Sequence, residues 1–206
     1  MFARTERLLL RPGFAEDAPE LARVIGDEAI ARNLSRLPWP YGEAEARQWL
    51  GSTPDPMLPN FLILQRTSGA PRIVGGIGLH RPDDTPLAAD GRPRPEIGYW
   101  IARSHWGLGI ATEAGRAVMR IARAIGHPPL VSGHFVDNPA SGAVLRKLGF
   151  RPTGRVAARH SLARGQDVPC ALYEEAEEEE APATICKRGR ISPEDDFRDQ
   201  IRLMAA

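Results

Sequence analysis

A chain of 206 residues, 42% hydrophobic and 26% charged, suits one globular domain with room for an appendage and excludes a wholly disordered composition. Its longest apolar runs, such as Leu8-Leu9-Leu10, are too short to span a bilayer. Cys170 and Cys186 are the only cysteines, which excludes a disulfide framework and a cysteine metal site. The formal charge of +1 hides an asymmetry, because residues 174–206 carry 10 acidic and 5 basic side chains. The basic excess of the remainder is scattered rather than clustered with aromatics, so nucleic acid is not an expected partner.

In chain order, Arg7 to Arg11 alternates around leucines and predicts a strand, ended by Pro12-Gly13. Ala15 to Ile25 has apolar residues at helical spacing and predicts a helix. Asn33 to Tyr41, with Pro38-Trp39-Pro40, predicts a loop, and Glu43 to Leu50 a short helix. Phe61 to Gln65 and Ile73 to Leu79 predict strands joined near Ser68-Gly69. Arg81 to Pro95 is rich in Pro, Asp and Gly and reads as a long loop or lid-like excursion.

Glu96 to Ile101 predicts the next strand, and Ile110, Ala114, Val118, Ile121 and Ile125 mark one face of a long helix that packs on a sheet. Leu130 to Val136 predicts a strand. Asn138-Pro139 opens a second short helix that carries Val144, Leu145 and Leu148 inward and stops at Gly149. Phe150 to Val156 and Val168 to Tyr173 predict a closing hairpin. The block Glu174 to Glu180 begins a like-charged tail, read as a solvated, flexible segment in which Asp195 to Met204 can form an amphipathic helix.

Between the strand ending at Ile101 and the long helix lies Arg-Ser-His-Trp-Gly-Leu-Gly-Ile-Ala, residues 103–111. Gly107, Gly109 and Ala111 bring the chain into the helix without bulky side chains. The first-turn amides have no intrahelical acceptor and lie at the positive end of the helix dipole. An anion such as a pyrophosphate can approach closely and take several amide hydrogen bonds. A dinucleotide-binding fingerprint does not fit, since the third glycine and the later acid are missing and half the chain precedes the motif. A Walker loop fails for want of Gly-Lys-Ser/Thr.

Taken together, Glu96 to Ile101, the Trp-Gly-Leu-Gly-Ile-Ala-Thr-Glu-Ala run, Asn138-Pro139-Ala140-Ser141 and Arg146-Lys147-Leu148-Gly149-Phe150 resemble the GCN5-related N-acetyltransferases (GNAT). Within that family, Thr5-Glu6-Arg7-Leu8-Leu9-Leu10-Arg11-Pro12 is similar to the start of the ribosomal-protein alanine acetyltransferase branch. The resemblance covers about Thr5 to Tyr173. It implies an α/β (α+β) fold: a mixed, mostly antiparallel sheet of six or seven strands, helices on both faces, and a splayed central strand pair. The expected domain is residues 1–174, with 175–206 as the acidic tail.

The resemblance further implies acetyl-CoA as donor and a primary amine as acceptor, with no metal. The pyrophosphate would sit on the amides of Trp106, Gly107, Leu108, Gly109, Ile110, Ala111 and Thr112. The family pattern usually opens with Gln or Arg where this chain has Trp106, and the amides do not depend on that side chain. The Ile101 amide would face the acetyl carbonyl, where negative charge develops. Asn138 and Ser141 match the second cofactor-side positions, although an Asn before a helix is also an ordinary cap. Many relatives carry Tyr seven residues after that Asn as general acid for the thiolate. Here the position is Leu145, which leaves Ser141 as the substitute.

Glu96 is the candidate general base, at the start of the strand that the resemblance ends beside the thioester, and period-two alternation puts Glu96, Gly98 and Trp100 on one face. The alternative for Glu96 is a solvent-facing charge at a strand end. An ordinary carboxylate, near ~4.3, is a weak base toward an amine, and an α-amine near ~8 demands less of it than a lysine near ~10.4. Trp39 and Tyr41 are candidates for the acceptor wall. His80 and His134 end strands and can line the cleft or serve structure. Glu113 and Arg116 read as solvated helix-surface charges. Cys170 lacks a motif-placed activator and is a poor acyl carrier.

The functional expectation is an N-acetyltransferase acting by direct attack in a ternary complex. Its acceptor is a protein N-terminal α-amine in preference to a small-molecule amine. A catalytically silent acyl-CoA-binding module and a tail that acts as an interaction arm are the competing readings. A cytoplasmic monomer or homodimer, with no membrane association, completes the expectation.

Overall fold

The computed structural model describes residues 1–52, 55–81 and 93–176. Most of the lid-like excursion and the tail helix over Asp195 to Met204 lie outside the described residues. In chain order the elements are β1 (Ala3–Arg4), β2 (Leu8–Arg11), α1 (Ala18–Ile25), α2 (Glu28–Ala31), α3 (Glu43–Leu50), β3 (Asn60–Gln65), β4 (Arg72–His80), β5 (Glu96–Ile101), α4 (Ile110–Ala124), β6 (Val131–Phe135), α5 (Pro139–Lys147), β7 (Phe150–Ser161) and β8 (Gln166–Glu175).

The strands form one sheet in the order β1-β2-β3-β4-β5-β6-β8-β7. All neighbouring pairs are antiparallel except β5–β6, which is parallel. The sheet has eight strands rather than six or seven. The additional strand, β1, is only 2 residues long, too short to leave a periodic signal. The closing hairpin is also longer than its sequence pattern, because β7 and β8 pair out to Ser161 and Gln166. Outward positions of β7 are mostly exposed, so no apolar alternation marks its far end.

The helix expected over Ala15 to Ile25 is divided. Ala15–Asp17 forms a single 3-10 turn, and α1 starts after it with Pro19 in its first turn. Asp17 accepts from the Phe14 amide at 2.7 Å and from both Arg11 Nη atoms at 2.7 Å. This fixes the crossing from β2 to α1. Burial pushes the Asp17 carboxyl up, but the bonds from Arg11 and the Phe14 amide outweigh it and hold the group below its ordinary value.

Both faces of the sheet are covered, which explains why β3 reads as a continuous apolar run. Phe61 and Ile63 pack with α4 and α5, whereas Leu62 and Leu64 pack with α1 and α3. On α4, Ile110, Ala114, Val118 and Ala122 are buried and Ile121 packs against the same cluster. β8 runs through Glu175, whose carboxylate accepts from the Leu130 amide at 3.0 Å and from Arg123 at 2.6 Å. The first compact unit of the chain accordingly extends to Ala176. No described helix is long and apolar enough to cross a membrane.

One consequence of this topology places the site. β5 and β6 are in register only at Glu96 and Val131, with Ser132 Oγ donating to the Ile97 carbonyl at 2.9 Å. Beyond that point the two strands separate, so the far half of β5 faces a gap.

Candidate active site

The gap opens beside the last residues of β5. The Ala102 amide donates back to the Val74 carbonyl of β4 at 2.8 Å. Backbone groups of successive strand residues face opposite edges, so the Ile101 amide points away from β4, toward the gap. The Ile101 carbonyl, on that same side, accepts from Trp106 Nε1 at 2.8 Å. Trp106 thus serves the loop through its indole while its ring stays about half exposed.

The loop then enters α4 through two glycines, Gly107 and Gly109, both with φ of +77°. This is the left-handed region in which a Cβ is strained. Leu108 is exposed, Ile110 and Ala111 are buried against the sheet, and Thr112 is half-buried. α4 is 15 residues long, so its unbonded first-turn amides carry a substantial dipole. Nothing stands within 4 Å of where a Cβ on Gly107 would project, and the cradle is open.

Glu113 is not a solvated charge as expected. It accepts from the Thr5 hydroxyl at 2.5 Å, the Arg7 amide at 3.0 Å and Arg7 Nε at 2.7 Å. Burial pushes its carboxyl up, but these bonds prevail and hold it below its ordinary value. The partners lie about a hundred positions away in sequence, so helical spacing could not reveal them. Arg116 is exposed, as expected.

Across the gap, Asn138 caps α5 and accepts from the Ser141 amide at 3.4 Å. Ser141 Oγ lies 2.7 Å from the Tyr99 hydroxyl, which also reaches the Ser141 carbonyl at 3.2 Å. Burial pushes the Tyr99 hydroxyl up to about 12, against the opposing bond from Ser141. Leu145, where many relatives carry Tyr, is fully buried in the core. Tyr99 was legible in principle: it alternates with Glu96, Gly98 and Trp100 and must face the α4 and α5 side of the sheet.

Glu96 is neither exposed nor alone. It is 7% exposed, so the reading of a solvent-facing charge is corrected. Arg159 of β7 donates to its two oxygens at 2.5 and 3.3 Å. No local pattern marks Arg159, because β7 reaches the gap only through its pairing with β8. A small cavity of about 80 Å³ in the gap is lined by Glu96, Tyr99, Ser132, His134, Ser141, Arg159 and Cys170, among others. Burial pushes the Cys170 thiol up, with Arg159 opposing. His134 is tied through Nδ1 to the Phe135 carbonyl at 2.8 Å.

A larger cavity, about 650 Å³, opens on the α1 and α3 side. Tyr41, Trp49, Phe61 and Trp100 form its aromatic wall, and Glu45, Arg36 and His80 are among its polar residues. Trp39 is outside this lining and 39% exposed, so the second aromatic on this side is Trp49 of α3. Glu96, Gly98 and Tyr99 line both cavities, which makes β5 the wall between them. Among the described residues, no group of three His, Cys, Asp or Glu side chains is placed to hold a metal ion.

A parallel pair that parts after one register position, with a left-handed glycine loop leading into a helix beside it, defines a class of acyl-transfer fold. The chain belongs to the GNAT family: the acetyltransferase (GNAT) domain matches residues 7–151. The uncharacterized N-acetyltransferase YoaA of Bacillus subtilis (strain 168) is 35% identical over 83 residues, 40% of this chain and 44% of that protein. The chain spans about half the length of the curated relatives it matches. The microcin C7 self-immunity acetyltransferase MccE, solved with acetyl-CoA and AMP, matches with a TM-score of 0.68 at 18% identity, over 84% of this chain and 93% of that one. The ribosomal-protein-S5-alanine acetyltransferase of Vibrio fischeri matches with a TM-score of 0.66 at 16% identity, over 87% of this chain and 98% of that one. At these identities the likeness is one of fold.

Proposed function

We propose that the chain transfers an acetyl group from acetyl-CoA to a primary amine by direct attack in a ternary complex. The observation that carries this reading is the shared wall: the Glu96–Tyr99 stretch of β5 lies between the small cavity in the β5–β6 gap and the larger cavity on the α1 and α3 side. The cradle fits the donor, since its glycine conformations keep side chains off the first-turn amides of α4. Amides of Gly107 to Thr112 would hold the pyrophosphate, with Asn138 and Ser141 on the far side of the arm; the Trp106 amide, expected to join them, instead donates to the Arg103 carbonyl at 3.3 Å. Acetyl-CoA supplies the activated acyl group and a thiolate leaving group. MccE binds acetyl-CoA in its solved complex, which supports the same donor here.

The chain's own residues then divide the work. The Ile101 amide donates to the oxygen on which charge develops as the amine nitrogen bonds to the carbonyl carbon. Glu96 keeps lone-pair sites beyond the two that Arg159 occupies and accepts the amine proton, directly or through a water. The Tyr99–Ser141 hydroxyl pair delivers a proton to the sulfur as the carbon–sulfur bond breaks. With its hydroxyl pushed up to about 12, Tyr99 stays protonated at any working pH. The products are one amide and one thiol; Glu96 has gained a proton and the Tyr99–Ser141 pair has lost one, so a proton passes from Glu96 back to the pair through solvent to restore both.

We assign the acceptor as a protein N-terminal α-amine ahead of a small polyamine. The cavity wall is largely aromatic, with Arg36, Glu45 and Glu96 among its charged residues, and an α-amine demands less of the Glu96 carboxylate than the more basic alkylamines of a polyamine. The fold likeness to a ribosomal-protein-S5-alanine acetyltransferase supports the same direction. Residues 1–176 hold this activity in the proposal, and the acidic tail stands outside it.

Thiol release from acetyl-CoA, measured with N-terminal peptides, polyamines and aminoglycosides, tests the reading. Saturable turnover with peptides, retained when the chain is cut after Ala176, is expected. Saturable CoA binding with no turnover on any amine would identify a silent acyl-CoA-binding module instead. Turnover confined to polyamines would overturn the acceptor assignment alone.

A further inference from the structure

We infer that Arg7 and Glu113 act together as a positioning clamp that aims the Gly109 amide into the pyrophosphate cradle. The inference rests on the donor reading above and assigns a role to residues that lie outside the loop itself. Arg7 sits in the turn before β2. Its Nη1 donates to the Leu108 carbonyl at 3.0 Å, while its Nε donates to Glu113 at 2.7 Å and its Nη2 ion-pairs with the same carboxylate at 2.7 Å. Glu113 stands in the first turn of α4, where a carboxylate also meets the positive end of the dipole. The Thr5 hydroxyl and the Arg7 amide complete its shell at 2.5 and 3.0 Å.

The geometry follows from the peptide plane. In a trans peptide the carbonyl and the following N–H point in opposite directions. Arg7 holds the Leu108 carbonyl outward, so the Gly109 N–H is turned the other way, into the cradle. Left alone, the Leu108–Gly109 peptide is poorly restrained: Leu108 is 52% exposed, and glycine at φ +77° is free to flip to other conformations. An amide that must be oriented on binding contributes less affinity than one already in place. The rigid Arg fork suits this task, because one guanidinium spans a carbonyl and a carboxylate at once.

The alternative is that Arg7 contacts the phosphate itself, since its side chain is 47% exposed. The two differ in what Glu113 does. In a clamp, Glu113 holds Arg7 in its working position. In a direct contact, Glu113 competes with the phosphate for Arg7.

Calorimetric titration of the full chain with CoA and with pantetheine, which lacks the pyrophosphate, separates these cases. Arg7→Ala is expected to weaken CoA binding about tenfold, the size of one charge-assisted hydrogen bond. Pantetheine binding and kcat at saturating acetyl-CoA should be unchanged, with KM for acetyl-CoA rising in step. Glu113→Gln should weaken CoA in the same direction, and Arg7→Lys should recover only part of the loss. Equal weakening of CoA and pantetheine would reduce Arg7 to a general structural role, and tighter CoA binding by Glu113→Gln would replace the clamp by a direct contact. If the wild-type chain binds no CoA, the donor reading fails and the clamp falls with it; unchanged CoA binding by Arg7→Ala in a chain that does bind CoA overturns the clamp alone. Circular dichroism and thermal unfolding of each variant confirm that a folded chain is being compared.

Discussion

On the side of β5 proposed for the donor, the groups offered to a ligand are backbone amides of one stretch, Gly107 to Thr112, the Trp106 amide being bonded to the Arg103 carbonyl at 3.3 Å. The cavity proposed for the acceptor, on the other side, is walled by side chains from α1, α3, β3, β4 and β5. Amides need only a particular backbone path, so a few small residues in a row specify the donor surface. A wall of side chains needs five elements packed in register, and each is free to vary in sequence without disturbing the fold. The first surface therefore depends on a few neighbouring residues, and the second on many that are distant in the chain.

The largest expected effect falls on the wall between the two halves. Glu96→Ala removes the buried carboxylate facing the half-buried Arg159 guanidinium and should cost about 3 kcal/mol of stability by denaturant unfolding. Combining Glu96→Gln with Arg159→Gln should recover most of that stability while turnover stays down by roughly 100-fold or more. Recovery of both together would make the pair purely structural.

Next come the hydroxyls. Ser141→Ala should lower kcat by about 100-fold and Tyr99→Phe by about tenfold. The double variant should be little worse than Ser141→Ala alone, because contacting residues that act as a unit are not additive. Multiplying losses would show two independent proton routes.

Two glycines address each side separately. Gly76 pairs with Trp100 across β4–β5, and a Cβ there meets the Trp100 indole. Gly76→Ala should push that ring into the acceptor cavity and raise acceptor KM by roughly tenfold with donor KM unchanged. Gly109→Ala forces a side chain to φ +77°, at a cost of about 1 kcal/mol. It should raise donor KM with acceptor KM unchanged. A variant that moves both constants would show the halves to be coupled through β5.

The smallest effect is on acid stability. Asp17 and Glu113 both have carboxyls held below their ordinary values. Their contribution is complete above the ordinary carboxylate range, about 4, and is lost as pH falls through the lower, folded value. The unfolding midpoint should fall on acidification through that window, and Asp17→Asn should flatten the dependence.

Much of the fold was legible because its signals are local. The span of β5, the span of α3 and the start of α4 each follow from a period, a cap or a glycine within a few residues, and they are found where expected. Pro19 still moved the start of α1 past the first expected turn, and β1 was too short to announce itself. Of the site, the glycine loop, the Asn138 cap and the face shared by Glu96, Gly98 and Trp100 were legible for the same local reason. Arg159, the Tyr99–Ser141 contact and the Thr5–Arg7–Glu113 network were not. Their partners are 63, 42 and more than 100 positions apart, and no periodicity spans such distances.

By itself the sequence determined that a strand delivers the chain to a glycine-opened helix, because backbone conformation and first-turn amides depend on neighbouring residues alone. Tertiary structure alone decided that β5 and β6 part after Glu96 and Val131, that β7 brings Arg159 to a buried carboxylate, and that Tyr41, Trp49, Phe61 and Trp100 meet in an aromatic wall opposite. Those outcomes depend on which elements meet across the sheet, and burial gives charge and hydroxyl contacts their chemical weight only once they have met.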